Sequence, residues 1–232
     1  MTIKGLLIGG FEMTNTVEKA RYTKGEEIFN MVTHIVGGGL GLVALLVCVT
    51  IAAFAQNIWG VISAFAYGIS VILLFTMSSI YHGLKVGSAK KVFRVLDHCT
   101  IFILIAGTYT PILLIGFREV YPLEAWIMFS VIWGLAIIGI VLNAIDLKRF
   151  MTFSLICYVG MGWIAVFRIN RLISVHGSTF FAIILAGGIV YTLGVLFYVL
   201  GKRKKYMHGV FHLFVNVASI LHSVAIAVFL MR

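Results

Sequence analysis

The sequence predicts an all-α, polytopic membrane protein: a bundle of seven transmembrane helices, with the N-terminus in the cytoplasm and the C-terminus outside. Three observations predict it. Seven long apolar runs fill nearly all of the 232-residue chain, and a run of about 18 or more such residues is long enough to cross a bilayer as a helix. The chain is 61% hydrophobic and only 11% charged, with a mean hydropathy of +1.08, which leaves too little polar surface to cover a soluble globule of this size. Lysine and arginine, finally, gather in alternate connections.

Residues 1–25 read as a short leader and residues 26–232 as the membrane domain. The leader's apolar stretch, Gly5 to Phe11, is shorter than a signal-peptide core and has no small-residue cleavage site behind it. The spans are expected at 27–54, 58–81, 95–117, 123–144, 150–169, 178–200 and 207–230. The first opens with Glu27, Asn30 and His34 on one face, continued by Gly38 and Gly41, where small residues allow close helix approach. The second ends in Ser78-Ser79-Ile80-Tyr81-His82. The third opens with Asp97 and His98 and carries Pro111, which is expected to kink it and to widen the space above. Short connections make successive spans antiparallel neighbours. Cys48, Cys99 and Cys157 lie in three different spans, with neither zinc-motif nor disulfide spacing, and read as buried free thiols.

Orientation follows from the cations. Lys4, Lys19, Arg21 and Lys24 precede the first span; Lys85, Lys90, Lys91 and Arg94 follow the second; Lys148 and Arg149 follow the fourth; Lys202, Arg203, Lys204 and Lys205 follow the sixth. Only Arg118, Arg168, Arg171 and Arg232 fall on the other side. Positive charge in short loops marks the cytoplasmic face. The net charge of +10 is therefore a topology signal and an attraction to anionic headgroups, and nucleic acid is not an expected partner. Membrane lipids are. Nothing in the sequence specifies an oligomeric state.

With that orientation, His34, His82, Asp97, His98, His208 and His212 arrive at one end of the bundle from several spans. His176 alone falls in an outer loop and receives no role. His208 and His212 are four apart on one helical face, and Asn216, Ser219 and Ser223 continue it as a polar stripe that must face the interior. His222 lies about 15 Å beyond His212 at 1.5 Å per residue and reads as a supporting or packing histidine. Two histidines at this spacing can share a zinc ion, a catalytic zinc needs a third protein ligand, and His82 is the candidate. Asp97 is placed to orient or deprotonate a water that the metal acidifies, with Ser78 one turn before His82. Helix packing through interhelical hydrogen bonds is the plainer reading of any such pair taken alone. Glu27 and Asn30 read as structural supports.

Taken together, these residues resemble the hemolysin III family, the bacterial branch of the progestin and adipoQ receptors. The motifs are Glu27-x-x-Asn30-x-x-Thr33-His34, Ser78-x-x-x-His82, Asp97, and His208-x-x-x-His212 followed by Ser219-x-x-His222, and the likeness runs from Glu26 to Phe229. In the receptor branch, zinc is held by three histidines that match His82, His208 and His212. An aspartate matching Asp97 contacts the metal's water there, and a serine matching Ser78 lies nearby. The resemblance also implies an inside N-terminus and a likeness to alkaline ceramidases, zinc amide hydrolases of lipids. Gly209 and Ala218 depart from what many relatives carry, at positions that are not proposed ligands.

Two functions from different classes use this site: an intramembrane zinc hydrolase of a lipid amide or ester, with Asp97 and Ser78 as catalytic groups, and a non-catalytic zinc-stabilised sensor or receptor. A pore-forming cytolysin, which the family name suggests, has no amphipathic inserting segment to recommend it here. Transport lacks the usual internal repeat. The expected location is the plasma membrane of a bacterium.

Overall fold

A computed structural model describes residues 22–231. The expected leader, up to residue 21, lies outside the described residues, as does Arg232. Every regular element among the described residues is helical: α1 Lys24–Phe54, α2 Ile58–Gly83, α3 Ser88–Ile112, α4 Arg118–Val120, α5 Pro122–Gly162, α6 Ile169–His176, α7 Ser178–Leu200 and α8 Met207–Phe229. Six helical stretches are long and apolar enough to cross a membrane: Lys24–Phe54, Ile58–Gly83, Ser88–Val120, Pro122–His176, Ser178–Leu200 and Met207–Phe229. The most apolar window of the third is 78% buried, against 22% for the first and fifth. α3 is thus the central helix. Around it α1 and α7 turn large apolar side chains outward, Val43 and Leu196 among them, as a lipid-facing surface requires and a water-facing one penalises.

The 41-residue α5 would be about 60 Å long if straight, twice the hydrocarbon thickness of about 30 Å. It is not straight. Asp146 takes non-helical angles, φ −156° and ψ 93°. The Ser154 hydroxyl donates to Asn143 Oδ1 at 2.6 Å, and Asn143 Nδ2 donates to the Tyr158 hydroxyl at 3.3 Å. Residues 11 apart on a straight helix are separated by about 16 Å, so the chain folds back at Asp146. Asn143, fully buried, pins the two arms together.

Pro111 lies inside the last turn of α3, and the break comes just after it. A π-helical turn, Leu113–Phe117, contains extended Ile115 and Gly116 at φ 68°, a left-handed conformation that a side chain would strain. His176 Nε2 donates to the Ile112 carbonyl at 2.9 Å, which answers a carbonyl at the helix's end. The outer-loop histidine given no role therefore has a structural one. Two other expectations need adjusting. Lys90, Lys91 and Arg94 belong to the first turns of α3, which starts at Ser88 rather than near 95. Of the two glycines expected on the His34 face, Gly41 is buried and Gly38 only half-buried; Gly37 is buried as well, and a Cβ there would run into Phe75 and Asn216. Cys48 and Cys99 are buried free thiols, while Cys157 is only half-buried.

Candidate metal centre

The first turns of α1 and α8 and the last turn of α2 converge. Thr23 caps α1: its hydroxyl accepts from the Glu26 backbone N–H, and Glu26 reaches back to the Thr23 N–H at 2.9 Å, a reciprocal capping box. The second Glu26 oxygen accepts the Tyr206 backbone N–H at 2.8 Å. Tyr206, at φ 61°, is the residue from which α8 starts. Glu26 thereby ties the beginning of α8 to the beginning of α1. Gly209 lets them close up, since a Cβ there would strike the Phe29 ring. These ties set the positions of His208 and His212.

His82, His208 and His212 are all buried, and each offers a ring nitrogen within 4.8 Å of the others'. The group can hold a metal ion, and the orientations of the His82 and His212 rings fit one. His82 Nδ1 lies 2.6 Å from Glu27 Oε2. A carboxylate only accepts, so this nitrogen carries the proton and Nε2 presents its lone pair. That Nε2 is buried with no hydrogen-bond partner. His212 Nδ1 lies 3.3 Å from the Asn30 carbonyl, another acceptor, so its lone pair is also on Nε2. His212 Nε2 faces His208 Nε2 at 3.1 Å, close to the ~3.3 Å that separates two nitrogens bonded at 2.0–2.1 Å to a tetrahedral zinc.

Behind the ligands stands a set of groups that orient them. Glu27 accepts from His82 and, through its other oxygen, from Lys90 Nζ at 2.9 Å. A carboxylate behind a ligand histidine fixes its tautomer and makes it more basic. Lys90 also donates to the Leu84 carbonyl at 2.9 Å, holding the end of α2 beside α3. Asn216 Nδ2 donates to the carbonyls of Thr33 and His212. Tyr22 stacks on His208, with ring centroids 5.0 Å apart, and leans on His82 at 5.7 Å. His34 stacks on His212 at 3.7 Å. Glu27 and Asn30 stand where supports are expected; Glu26, Lys90 and Tyr22 are further supports that the sequence analysis does not name as such. The Thr23-x-x-Glu26 pattern was the one visible signal among these.

A cavity of ≈ 190 Å³ adjoins the centre. His34, Ser78, Asp97, His98, His208 and His212 all line it, and it runs on between aliphatic and aromatic walls to His222. Ser78, one turn before His82, is buried, and its hydroxyl has no partner among the described residues. Asp97 is half-buried. Of the expected ligands, His208 and His212 line this cavity together with Asp97 and Ser78, while His82 is not among its lining residues. The polar stripe of α8 faces inward as expected: Tyr191 OH meets Ser219 Oγ at 2.7 Å, and Tyr67 OH meets Ser223 Oγ at 2.8 Å.

Fold and site define a class: a multi-pass helical membrane protein with a buried three-histidine centre beside an apolar cavity. The sequence profile described as "Haemolysin-III related" matches residues 22–223, and the chain belongs to that family. Hemolysin-3 of Bacillus cereus is 37% identical over 206 residues, covering 88% of this chain and 91% of that protein. The Hemolysin-3 homolog of Bacillus subtilis (strain 168) is 34% identical over 197 residues, covering 84% and 89%. A more distant relative, the Monocyte to macrophage differentiation factor of Homo sapiens, is 28% identical over 185 residues, covering 77% and 74%.

Proposed function

We propose that this protein is an intramembrane zinc hydrolase of a lipid amide or ester, resident in a bacterial plasma membrane. The observation that carries the reading is the buried His82–His208–His212 group opening onto a cavity with mostly apolar walls. In this reading the chain crosses the membrane seven times, the two arms of α5 being the fourth and fifth crossings. The histidine end is cytoplasmic, because the lysine-rich connections fall on that side, and the C-terminus lies outside.

His82, His208 and His212 would hold the zinc. Zinc supplies Lewis acidity at a carbonyl and makes a water acidic near neutral pH. Asp97 takes the proton released as water attacks the carbonyl carbon and returns it to the leaving group. The Ser78 hydroxyl, without a partner among the described residues, orients the reacting polar group. Glu27 keeps the His82 proton on Nδ1. The lipid tail lies along the cavity toward His222.

The test is turnover of lipid amides and esters in mixed micelles by full-length, zinc-loaded protein. Asp97→Asn is expected to keep its zinc and to lose at least about 100-fold in rate, the usual contribution of a positioned acid–base group. Full zinc with no turnover of any lipid by the native protein would instead support the sensor reading, in which the metal ties α2 to α8. A lytic activity, suggested by the name Hemolysin-3, predicts dye release from liposomes that survives removal of the histidines.

A further inference from the structure

The cavity reaches the histidine end of the bundle between four walls, at Asp97 of α3, Met151 of the second arm of α5, Tyr198 of α7 and His208 of α8. A cation follows each wall outward. Arg94 stands one turn before Asp97, Arg149 two residues before Met151, Lys202 one turn beyond Tyr198 and Lys204 four residues before His208. Lys148, Arg149 and the run Lys202, Arg203, Lys204 and Lys205 are exposed. The placement of Lys202 is direct. Its Nζ lies 5.7 Å from the centroid of the Tyr198 ring, and that ring leans on His208 with centroids 5.8 Å apart. One aromatic ring of the cavity wall thus separates an ammonium from a histidine of the metal centre. Gly201 holds the end of α7 against the start of α8 here, since a Cβ would strike the backbone of His208.

Carboxylates are too few to neutralise this rim. Glu27 is taken by His82 and Lys90, and Lys205 lies near Glu26. Asp97 is the one acid lining the cavity among the described residues, and Asp146 accepts from the Arg149 backbone N–H. Lys202, Arg203 and Lys204 form no ion pair among the described residues. Topology asks only that such charges lie on one side of the membrane; it does not call for an ammonium on the ring of a cavity wall. A cleft rimmed by one sign of charge, with apolar walls behind it, concentrates ligands of the opposite sign.

We infer that this rim receives the negatively charged head of the lipid whose tail enters the cavity, a carboxylate being the simplest such head. The inference rests on the cavity being a lipid site, as proposed above, and it narrows the substrate class to anionic lipid amides and esters. It makes Lys202, Arg203 and Lys204 specificity-determining residues, which favour a charged head over a neutral one.

The experiment is displacement of a fluorescent long-chain alcohol from full-length protein in neutral detergent by three amides of one fatty acid: the N-acylglycine, the neutral N-acylglycinamide and the cationic N-acylethylenediamine. At low salt the N-acylglycine is expected to bind about tenfold tighter than the glycinamide, the worth of a few weak, exposed ion pairs together, and the cation weakest. The gap is expected to close near 1 M salt, where the Debye length is about 3 Å. Lys202→Gln/Arg203→Gln/Lys204→Gln is expected to bind the glycinamide as before and to lose most of the gap. Arg118→Gln/Arg168→Gln/Arg171→Gln, which removes the same charge from the other end of the bundle, is expected to keep it. Equal binding of the three amides by the native protein overturns the inference, and needs no variant to show it. A gap that survives the Lys202 triple substitution overturns it too, because the metal and not the rim would then hold the carboxylate. Turnover is followed alongside. A gap without turnover supports the rim while the hydrolase reading fails alone; turnover with no gap leaves the hydrolase and removes the rim.

Discussion

The two ends of the bundle use the same side-chain chemistry for different work. At the histidine end, Glu27 sits between His82 and Lys90 with its side chain 16% exposed and His82 fully enclosed. At the other end, Glu124 pairs with Arg168 at 3.1 Å and with Arg171, and the two arginines are 48% and 46% exposed. The exposed cluster staples α6 and the preceding 3₁₀ turn, Ile164–Arg168, to the start of α5. Such pairs contribute about 0–1 kcal/mol, because water and salt screen them. The enclosed cluster is screened far less, and breaking one member leaves another buried and unpaired. The difference lies in what each carboxylate is set against: a flexible guanidinium at the surface, or an imidazole whose other nitrogen faces two more histidines.

Three substitutions sharpen this contrast. Glu27→Ala removes the group behind His82 and is expected to weaken zinc binding about 10- to 100-fold, the usual effect of losing such a support, read by competition with a chelator of known affinity. Unchanged affinity would mean that Glu27 only bridges helices. Glu26→Ala removes the capping box and the tie to Tyr206, and is expected to destabilise the protein by about 1–2 kcal/mol. Thermal unfolding in detergent should show that loss, with a smaller fall in zinc affinity than Glu27→Ala produces. Glu124→Gln, at the far end, should change stability by less than about 1 kcal/mol and leave zinc binding unaltered. If it altered metal binding, the two ends would be coupled through α5.

Much of the scaffold is legible in the sequence because apolar length is a local property. α1, α2, α7 and α8 begin and end within a few residues of their expected spans. The turn between the two arms of α5 is legible too: Asp146 falls in the connection expected between residues 144 and 150, beside Lys148 and Arg149. The place of the break in α3 is less so, for the backbone departs from the helix a turn after Pro111, at Ile115 and Gly116. The three histidines were legible as well, since i, i+4 spacing puts His208 and His212 on one face whatever else the helix does. Their supports were less so. Lys90 reads as one more loop cation until α3 is seen to start early enough to bring it to Glu27. Tyr22 stands outside any span. Its packing on His208 depends on how the chain enters α1, which only the folded arrangement shows.

The central claim is that His82, His208 and His212 form a metal centre. The most direct measurement is the metal content of detergent-purified protein prepared without chelators, with His208→Ala/His212→Ala beside it. About one zinc per chain is expected in the native protein and none in the variant. Native protein, well folded and free of metal even after zinc is supplied, would contradict it and leave the histidines as packing groups.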